Sequence, residues 1–103
     1  MNYDLLFSPA KIGNVTVKNR IIMEPMCLGF GQFDGRATDT MMDYYEERAK
    51  GGFGLIFTGA FHPDTLVDPV HPLDSKQPLK APKSFQRSAV ELLERLDAYG
   101  AKM

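Results

Sequence analysis

The chain has 103 residues, of which 44% are hydrophobic and 24% charged, a composition typical of one small soluble globular domain. Twelve basic and thirteen acidic residues give a net charge of −1 without any basic block, so neither a nucleic-acid-binding surface nor a polybasic membrane patch is indicated. The single cysteine, Cys27, excludes an internal disulfide and a cysteine-rich zinc site, and the N-terminus carries no secretory signal, so we expect a cytoplasmic protein.

The first predicted elements are a hairpin and a strand. Residues 11–18 alternate apolar and polar types around Gly13-Asn14, which is typical of two short strands joined by a tight turn. The apolar run 20–25 is too short for a helix and stops at a proline, so it predicts a buried strand of a parallel sheet. The glycine-rich stretch 29–35 predicts a loop.

A first helix is predicted after this loop. It begins at Thr38 or Thr40, either of which suits an N-cap, and it ends at Gly51-Gly52. Its apolar stripe should face the core, and Glu46 with Lys50 is spaced for an i,i+4 ion pair. The stripe consists of Met41, Tyr45 and Ala49.

The second half of the chain repeats this order. Residues 53–60 predict a second strand, and the proline-rich segment 61–83 predicts one long connection. Ser84 is expected to cap a second amphipathic helix that Gly100 ends, and residues 101–103 resemble the first step of a third strand. The apolar face of this helix consists of Phe85, Ala89, Leu92, Leu93 and Leu96.

The order of elements predicts a parallel α/β fold with two βα units, 20–51 and 53–100. A complete α/β barrel needs eight such units and about 250 residues, so the chain would form roughly two-fifths of one. A doubly wound nucleotide-binding sheet would instead require a glycine-rich fingerprint after its first strand. The residues that follow this strand, 24–29, do not form one.

Candidate ligand-binding residues lie where the predicted strands end, because ligands bind at the carboxyl ends of parallel strands. Pro25-Met26-Cys27 combines a rigid backbone, an amide and a polarisable sulfur, which suits an aromatic cofactor. The alternative is a strand that ends at proline beside a small buried thiol, and spacing alone favours this alternative. Gly59 and Ala60 would let a planar ligand approach the main chain, or they simply end a strand at small residues.

Other candidates favour ordinary structural roles. Tyr44 and Tyr45 are expected to give one surface ring and one core ring. His62 and His71 share the long connection with three aspartates, but their irregular spacing favours solvated loop residues over a metal site. No catalytic residue and no metal ligand is therefore predicted in this chain.

Ordered motifs along the whole chain resemble the N-terminal region of the old yellow enzyme family. These are FMN-dependent NADH:flavin oxidoreductases, which include 2,4-dienoyl-CoA and 2-enoate reductases. Each motif alone is weak, but their order and spacing together are specific. The motifs are Leu6-Phe7-Ser8-Pro9, Lys11-Ile12-Gly13-Asn14, Lys18-Asn19-Arg20-Ile21, Met23-Glu24-Pro25-Met26, Asp43-Tyr44-Tyr45, Arg48-Ala49-Lys50-Gly51-Gly52 and Gly54-Leu55-Ile56.

The resemblance implies that residues 1–103 form the N-terminal part of an FMN-binding TIM barrel, with the hairpin 11–18 closing the bottom of the barrel. It implies that Pro25, Met26 and Cys27 contact the isoalloxazine ring and that Ala60 meets its polar edge. In one subgroup of the family, a thiol at the position of Cys27 tunes the redox potential. The chain departs from the family at Glu24, where a small residue or proline is usual.

The resemblance also implies the reaction. NAD(P)H passes hydride to the flavin, and the flavin passes it to an activated C=C bond of an enone, enoate or enoyl thioester. The family residues that bind the carbonyl, supply the proton and bind the FMN phosphate correspond to positions beyond residue 103, so we expect this chain to be inactive alone.

The long connection and the helix ending at residues 97–102 resemble the multidomain enoate reductases, whose FAD and iron–sulfur parts this segment does not bind. We expect the full-length protein to be a homo-oligomer. The alternative interpretation is a small non-catalytic α/β module that binds a partner through segment 61–83. A sharp two-state melt of a compact monomer would favour that module over a fragment.

Overall fold

The computed structural model describes residues 2–30, 36–59, 61–62, 75–76 and 83–103. Its helices and strands follow the predicted order after an initial hairpin, except that two additional short strands lie in segment 61–83, where the sequence predicts one long connection. The strands are β1 (Ala10–Ile12), β2 (Val15–Val17), β3 (Ile22–Met23), β4 (Leu55–Ile56), β5 (Phe61–His62) and β6 (Ser75–Lys76), and the helices are α1 (Asp39–Lys50) and α2 (Lys83–Asp97). The strands β3 and β4 are shorter than the apolar runs that contain them.

The hairpin is confirmed. Strands β1 and β2 pair antiparallel, with Ala10 opposite Val17. The turn places Gly13 at φ 58, a left-handed conformation that favours glycine. Val17 is buried, whereas the rest of β2 is exposed.

The central sheet is parallel. Strand β3 pairs with β4, with Met23 opposite Ile56. On the other side of β4, the amide of Ile56 donates to the carbonyl of Lys102 at 2.8 Å, and the amide of Lys102 donates to the carbonyl of Gly54 at 3.0 Å. Lys102 therefore occupies the position of a third parallel strand, which confirms the prediction for residues 101–103.

Helix α1 begins at the predicted N-cap. The hydroxyl oxygen of Thr38 accepts a hydrogen bond from the amide of Met41 at 3.2 Å, whereas Thr40 lies inside the helix. At the other end Gly52 adopts φ 112, a left-handed conformation, and the helix stops there as predicted.

Helix α2 departs from the prediction at its start. It includes Lys83, so Ser84 lies in the first turn and is not the N-cap. The apolar pattern begins only at Phe85, so it does not mark the residue at which the helix starts. At the other end the amide of Ala101 donates to the carbonyl of Leu96, and Gly100 adopts φ 71. Gly100 therefore ends the helix in a Schellman motif, as predicted.

The core lies between the two helices and one face of the sheet. Tyr45 and Ile56 are almost completely buried there, together with Leu96 of α2. Leu93 was predicted to share this face but is 47% exposed. The buried face of α2 is centred on Leu92 and Leu96. Adjacent residues of a helix point about 100° apart, so Leu93 points away from the direction of Leu92.

The opposite face of the sheet is open. Ile22 and Phe57 expose large parts of their side chains there, and Glu24, which follows β3, is also exposed. The prediction of a fully buried strand over 20–25 is therefore right for Met23 and wrong for Ile22.

Arg95 links the two helices. Its guanidinium donates to Glu91 on α2 at 2.8 Å, and to Asp43 and Glu46 on α1 at 3.1 and 3.4 Å. Because Glu46 faces α2, the predicted pair with Lys50 does not form, and that lysine pairs instead with Glu47 at 3.6 Å.

The segment between the hairpin and β3 holds the ends of both helices. The ammonium of Lys18 donates to the carbonyl of Tyr99 at 2.6 Å, beyond α2, and the amide group of Asn19 donates to the carbonyl of Gly52 at 2.7 Å, beyond α1.

Neither helix in the described part of the chain is long and apolar enough to cross a membrane.

Candidate functional site

Two segments leave the sheet side by side at its carboxyl edge. The amide of Phe57 donates to the carbonyl of Met23 at 3.0 Å, so β3 and β4 are still paired at their last residues. Because the strands are parallel, residues 24–27 and 57–59 emerge at the same edge. The described candidates, Pro25-Met26-Cys27 and Gly59, therefore share one edge.

The segment Pro25-Met26-Cys27 lies in solvent. All three residues are exposed, and the side chain of Met26 is 56% accessible. Cys27 is a free, exposed cysteine. This exposure contradicts the alternative interpretation, in which the thiol is a small buried group.

The end of β4 is held differently. Gly59 is buried, and its amide donates to the hydroxyl oxygen of Tyr45 on α1 at 3.0 Å. Ala60, the fourth candidate residue, lies outside the described residues. The apolar stripe of α1 predicts that the ring of Tyr45 is buried, but it does not predict that its hydroxyl binds the end of β4. The sequence offers one indication of such a bond, because the hydroxyl of a buried tyrosine requires a hydrogen-bond partner.

Aromatic side chains support this part of the site. The rings of Tyr44 and Tyr45 pack edge to face with centroids 5.5 Å apart, and Phe30 packs on Tyr44 at 6.1 Å. The guanidinium of Arg48 lies 3.4 Å from the centroid of the Tyr44 ring. The hydroxyl of Thr38 donates to the carbonyl of Phe30 at 2.9 Å, so the start of the loop after Cys27 is attached to α1.

The metal-site candidates receive little structural description. His71 and the three aspartates of the long connection lie outside the described residues, and only the backbone of His62 is described. In the part of the chain that the structure covers, no three histidine, cysteine or acidic side chains are grouped so that they could hold a metal ion.

Comparisons with known proteins agree on one family. The NADH:flavin oxidoreductase / NADH oxidase family matches residues 5–75. The chain is 36% identical over 106 residues to cinnamate reductase of Clostridium sporogenes, covering 98% of this chain, and 35% identical over 99 residues to NADH oxidase of Thermoanaerobacter brockii, covering 95%. It spans 15% of the length of each of these relatives.

Solved structures show the same relationship. An old yellow enzyme from Pichia sp. AKU4542 aligns over 94% of this chain with a TM-score of 0.78 and 25% identity, and 24% of that enzyme is covered. A 2-naphthoyl-CoA reductase aligns over 97% of this chain with a TM-score of 0.82 and 29% identity, with 15% of that protein covered. The fold is thus an N-terminal part of the old yellow enzyme type of TIM barrel. The chain belongs to the NADH:flavin oxidoreductase / NADH oxidase family.

Proposed function

We propose that residues 1–103 form one wall of the flavin site in a longer FMN-dependent oxidoreductase, referred to below as the complete enzyme. In this proposal the chain is part of a single FMN-binding barrel domain, and the reaction is the reduction of an activated C=C bond. The observation that carries the proposal is the exposed segment Pro25-Met26-Cys27 at the edge where β4 also ends, in a chain of this family.

The residues at this edge fit a flavin ring. An isoalloxazine is flat and largely apolar, and its polar edge requires hydrogen-bond donors. Met26 and Cys27 offer accessible sulfur atoms, and neither side chain makes a hydrogen bond with other described residues. Gly59 is buried and its amide is bound to Tyr45, so in this proposal it positions the strand end and does not contact the ring itself. Ala60 is proposed to meet the polar edge of the ring.

Pro25 and Cys27 have distinct tasks in the proposed site. Bound FMN supplies the hydride transfer between NAD(P)H and the substrate. Pro25 fixes the backbone direction after β3 because its ring restricts φ. The thiol of Cys27 replaces water beside the ring with a weakly polar, polarisable group, which changes the relative stability of the cofactor's redox states. Glu24 stays exposed, so its charge is hydrated and not buried against an anionic cofactor.

The substrate class in this proposal is an enone, enoate or enoyl thioester. The names of two similar proteins, cinnamate reductase and 2-naphthoyl-CoA reductase, support it. This chain spans 15% of each of them but 24% of the old yellow enzyme, so they are the longer proteins. Their greater length supports a complete enzyme with additional parts, which we propose to bind FAD and an iron–sulfur cluster. We further propose that the complete enzyme is a cytoplasmic homo-oligomer.

The alternative of a small binding module depends on segment 61–83. The structure describes the backbone of residues 61–62 and 75–76 there, where β5 and β6 pair in parallel, together with Lys83. No described contact favours a partner-binding role, so we propose only the oxidoreductase function.

The proposed function is tested with the purified complete enzyme. We expect bound FMN and NAD(P)H-dependent reduction of cinnamate or an enoyl thioester under anaerobic conditions. Replacement of the thiol in Cys27→Ser and Cys27→Ala should shift the two-electron flavin potential in the same direction by on the order of 30 mV, the value for a tenfold change in equilibrium constant. The control Thr16→Ser on the exposed hairpin should leave the potential unchanged. A preparation without FMN, or one that reduces no activated alkene, would refute the proposal.

A further inference from the structure

We propose that Tyr45 is a positioning residue of the flavin site, which acts through its hydroxyl on the backbone at the end of β4. This inference rests on the function proposed above. It assigns a site role to a side chain that its position on the helix would otherwise assign only to the core.

The hydrogen bond of Tyr45 lies beyond the last described hydrogen bond between β3 and β4. The last backbone bond between β3 and β4 is the one from the amide of Phe57 to the carbonyl of Met23. Two residues later the amide of Gly59 donates to the hydroxyl oxygen of Tyr45 at 3.0 Å. The chain at Gly59 is therefore anchored to α1 by a side chain, two residues beyond its last described bond to β3.

The direction of the hydroxyl is set from within α1. Tyr45 is only 1% exposed, and its ring packs edge to face against Tyr44, whose own ring lies under the guanidinium of Arg48. A ring held in this way has little rotational freedom. Its oxygen consequently offers a fixed acceptor to Gly59.

Loss of this acceptor affects the proposed site directly. Gly59 is buried, and a buried amide without a partner is unfavourable, so the backbone would shift to satisfy it. The next residue along the chain is Ala60, the proposed contact for the polar edge of the flavin. A shift at Gly59 therefore changes flavin binding without removing any side chain that touches the flavin.

The chain offers a matched control at the neighbouring position. Tyr44 is also a tyrosine of α1, but its side-chain hydroxyl makes no hydrogen bond with any described residue. Tyr45→Phe and Tyr44→Phe each remove one oxygen atom from adjacent residues. A difference between the two variants reports on the bond to Gly59 and not on the general loss of a hydroxyl.

The experiment uses the complete enzyme and three readouts: the FMN dissociation constant, the visible absorption spectrum of the bound flavin, and hydrogen exchange of the peptide that contains Gly59. Tyr45→Phe should weaken FMN binding roughly threefold to tenfold, shift the flavin absorption bands and accelerate exchange at Gly59. Tyr44→Phe keeps the ring that packs against Tyr45 and loses only the hydroxyl, so it should match the wild type in all three readouts.

The outcomes separate this inference from the proposed function. A wild-type enzyme that binds no FMN refutes the proposed function. A wild-type enzyme that binds FMN while Tyr45→Phe matches Tyr44→Phe, or weakens binding without faster exchange at Gly59, refutes the role of Tyr45. If Tyr45→Phe does not fold, 3-fluorotyrosine at position 45 retains the hydroxyl but makes its oxygen a weaker acceptor; an unchanged flavin spectrum in that protein also refutes the inference.

Discussion

Asn19 joins the start of β3 to the end of α1 through both atoms of its carboxamide. Its oxygen accepts from the amide of Ile21 at 3.1 Å, and its nitrogen donates to the carbonyl of Gly52 at 2.7 Å. The side chain is buried, and a hydrogen bond at each of its two polar atoms offsets the cost of removing them from water. Asn19 therefore stabilises the fold at the end opposite the candidate flavin site.

Gly54 is required by this arrangement. A Cβ atom at position 54 would lie 2.4 Å from the side-chain oxygen of Asn19 and 2.7 Å from its backbone carbonyl oxygen. We expect Gly54→Ala to lower the free energy of unfolding by about 1–3 kcal/mol, measured by chemical denaturation of the complete enzyme. Gly51→Ala is the control, because a Cβ there would be no nearer than 3.3 Å to other atoms. Equal stability of the two variants would contradict this interpretation.

Single residues were predictable where their task depends on local chemistry. The cap at Thr38 and the stop at Gly52 follow from hydrogen bonding and backbone conformation within one turn. The exposure of Cys27 and the bond made by Tyr45 depend on contacts between distant parts of the chain. Spacing along one element contains no information about such contacts, which is why spacing alone favours a buried thiol although the structure shows Cys27 exposed.

At the scale of elements, Arg95 predicts a salt-dependent contact between the helices. It interacts with one carboxylate on α2 and two on α1, and its hydrogen bond with Glu91 raises the pKa of the guanidinium above its ordinary value. The charge therefore persists at every pH used in practice, and ionic strength is the informative variable. The Debye length falls from about 10 Å at 0.1 M salt to about 3 Å at 1 M.

We expect Arg95→Gln to lower the melting temperature of the complete enzyme at low salt and to lower it less at 1 M salt, because screening already weakens the exposed pairs in the wild type. Arg87→Gln, an exposed arginine of α2 without an ion pair among the described residues, is the control. A decrease for Arg95→Gln that does not depend on salt would show that the aliphatic part of the side chain, not its charge, joins the helices.

The elements differ in how well their lengths could be predicted. Both helices and the hairpin match the sequence interpretation within a few residues, since caps and turns mark their ends. The apolar runs 20–25 and 53–60 predict longer strands than the observed β3 and β4. The prediction is too long because strand length depends on hydrogen-bonded neighbours and not on hydrophobicity. The predicted Glu46–Lys50 pair fails for a similar reason, since α2 presents a competing cation.

At the scale of the whole molecule, the order of elements and motifs was sufficient to predict both the α/β class and the family. Composition alone indicated one small domain, whereas the chain spans only 15% to 24% of the proteins it resembles. The open face of the sheet, with Ile22 and Phe57 exposed, has no counterpart in the composition. Burial of such a face is a property of the assembled barrel, so it could not be predicted from this segment.

We expect the isolated chain to retain little FMN and to have no reductase activity. Two strand ends provide one wall of the proposed site, and family resemblance places the phosphate-binding and carbonyl-binding residues beyond residue 103. The measurement is absorbance at 450 nm after desalting, with oxidation of NADH in the presence of an enone compared against a flavin-only blank. A yellow stoichiometric complex, or oxidation above the blank, would contradict this prediction.

The contact between Asn19 and Gly54 also has a consequence for the evolution of this segment. The carboxamide of Asn19 is removable by substitution, but its backbone carbonyl oxygen would still lie 2.7 Å from a side chain at position 54. Replacement of Asn19 loses its two hydrogen bonds but requires no change at position 54, whereas no replacement at position 19 makes room for a side chain at position 54. The dependence between the two positions therefore runs one way. Evolution can replace the glycine at position 54 only after the main chain at position 19 has moved away.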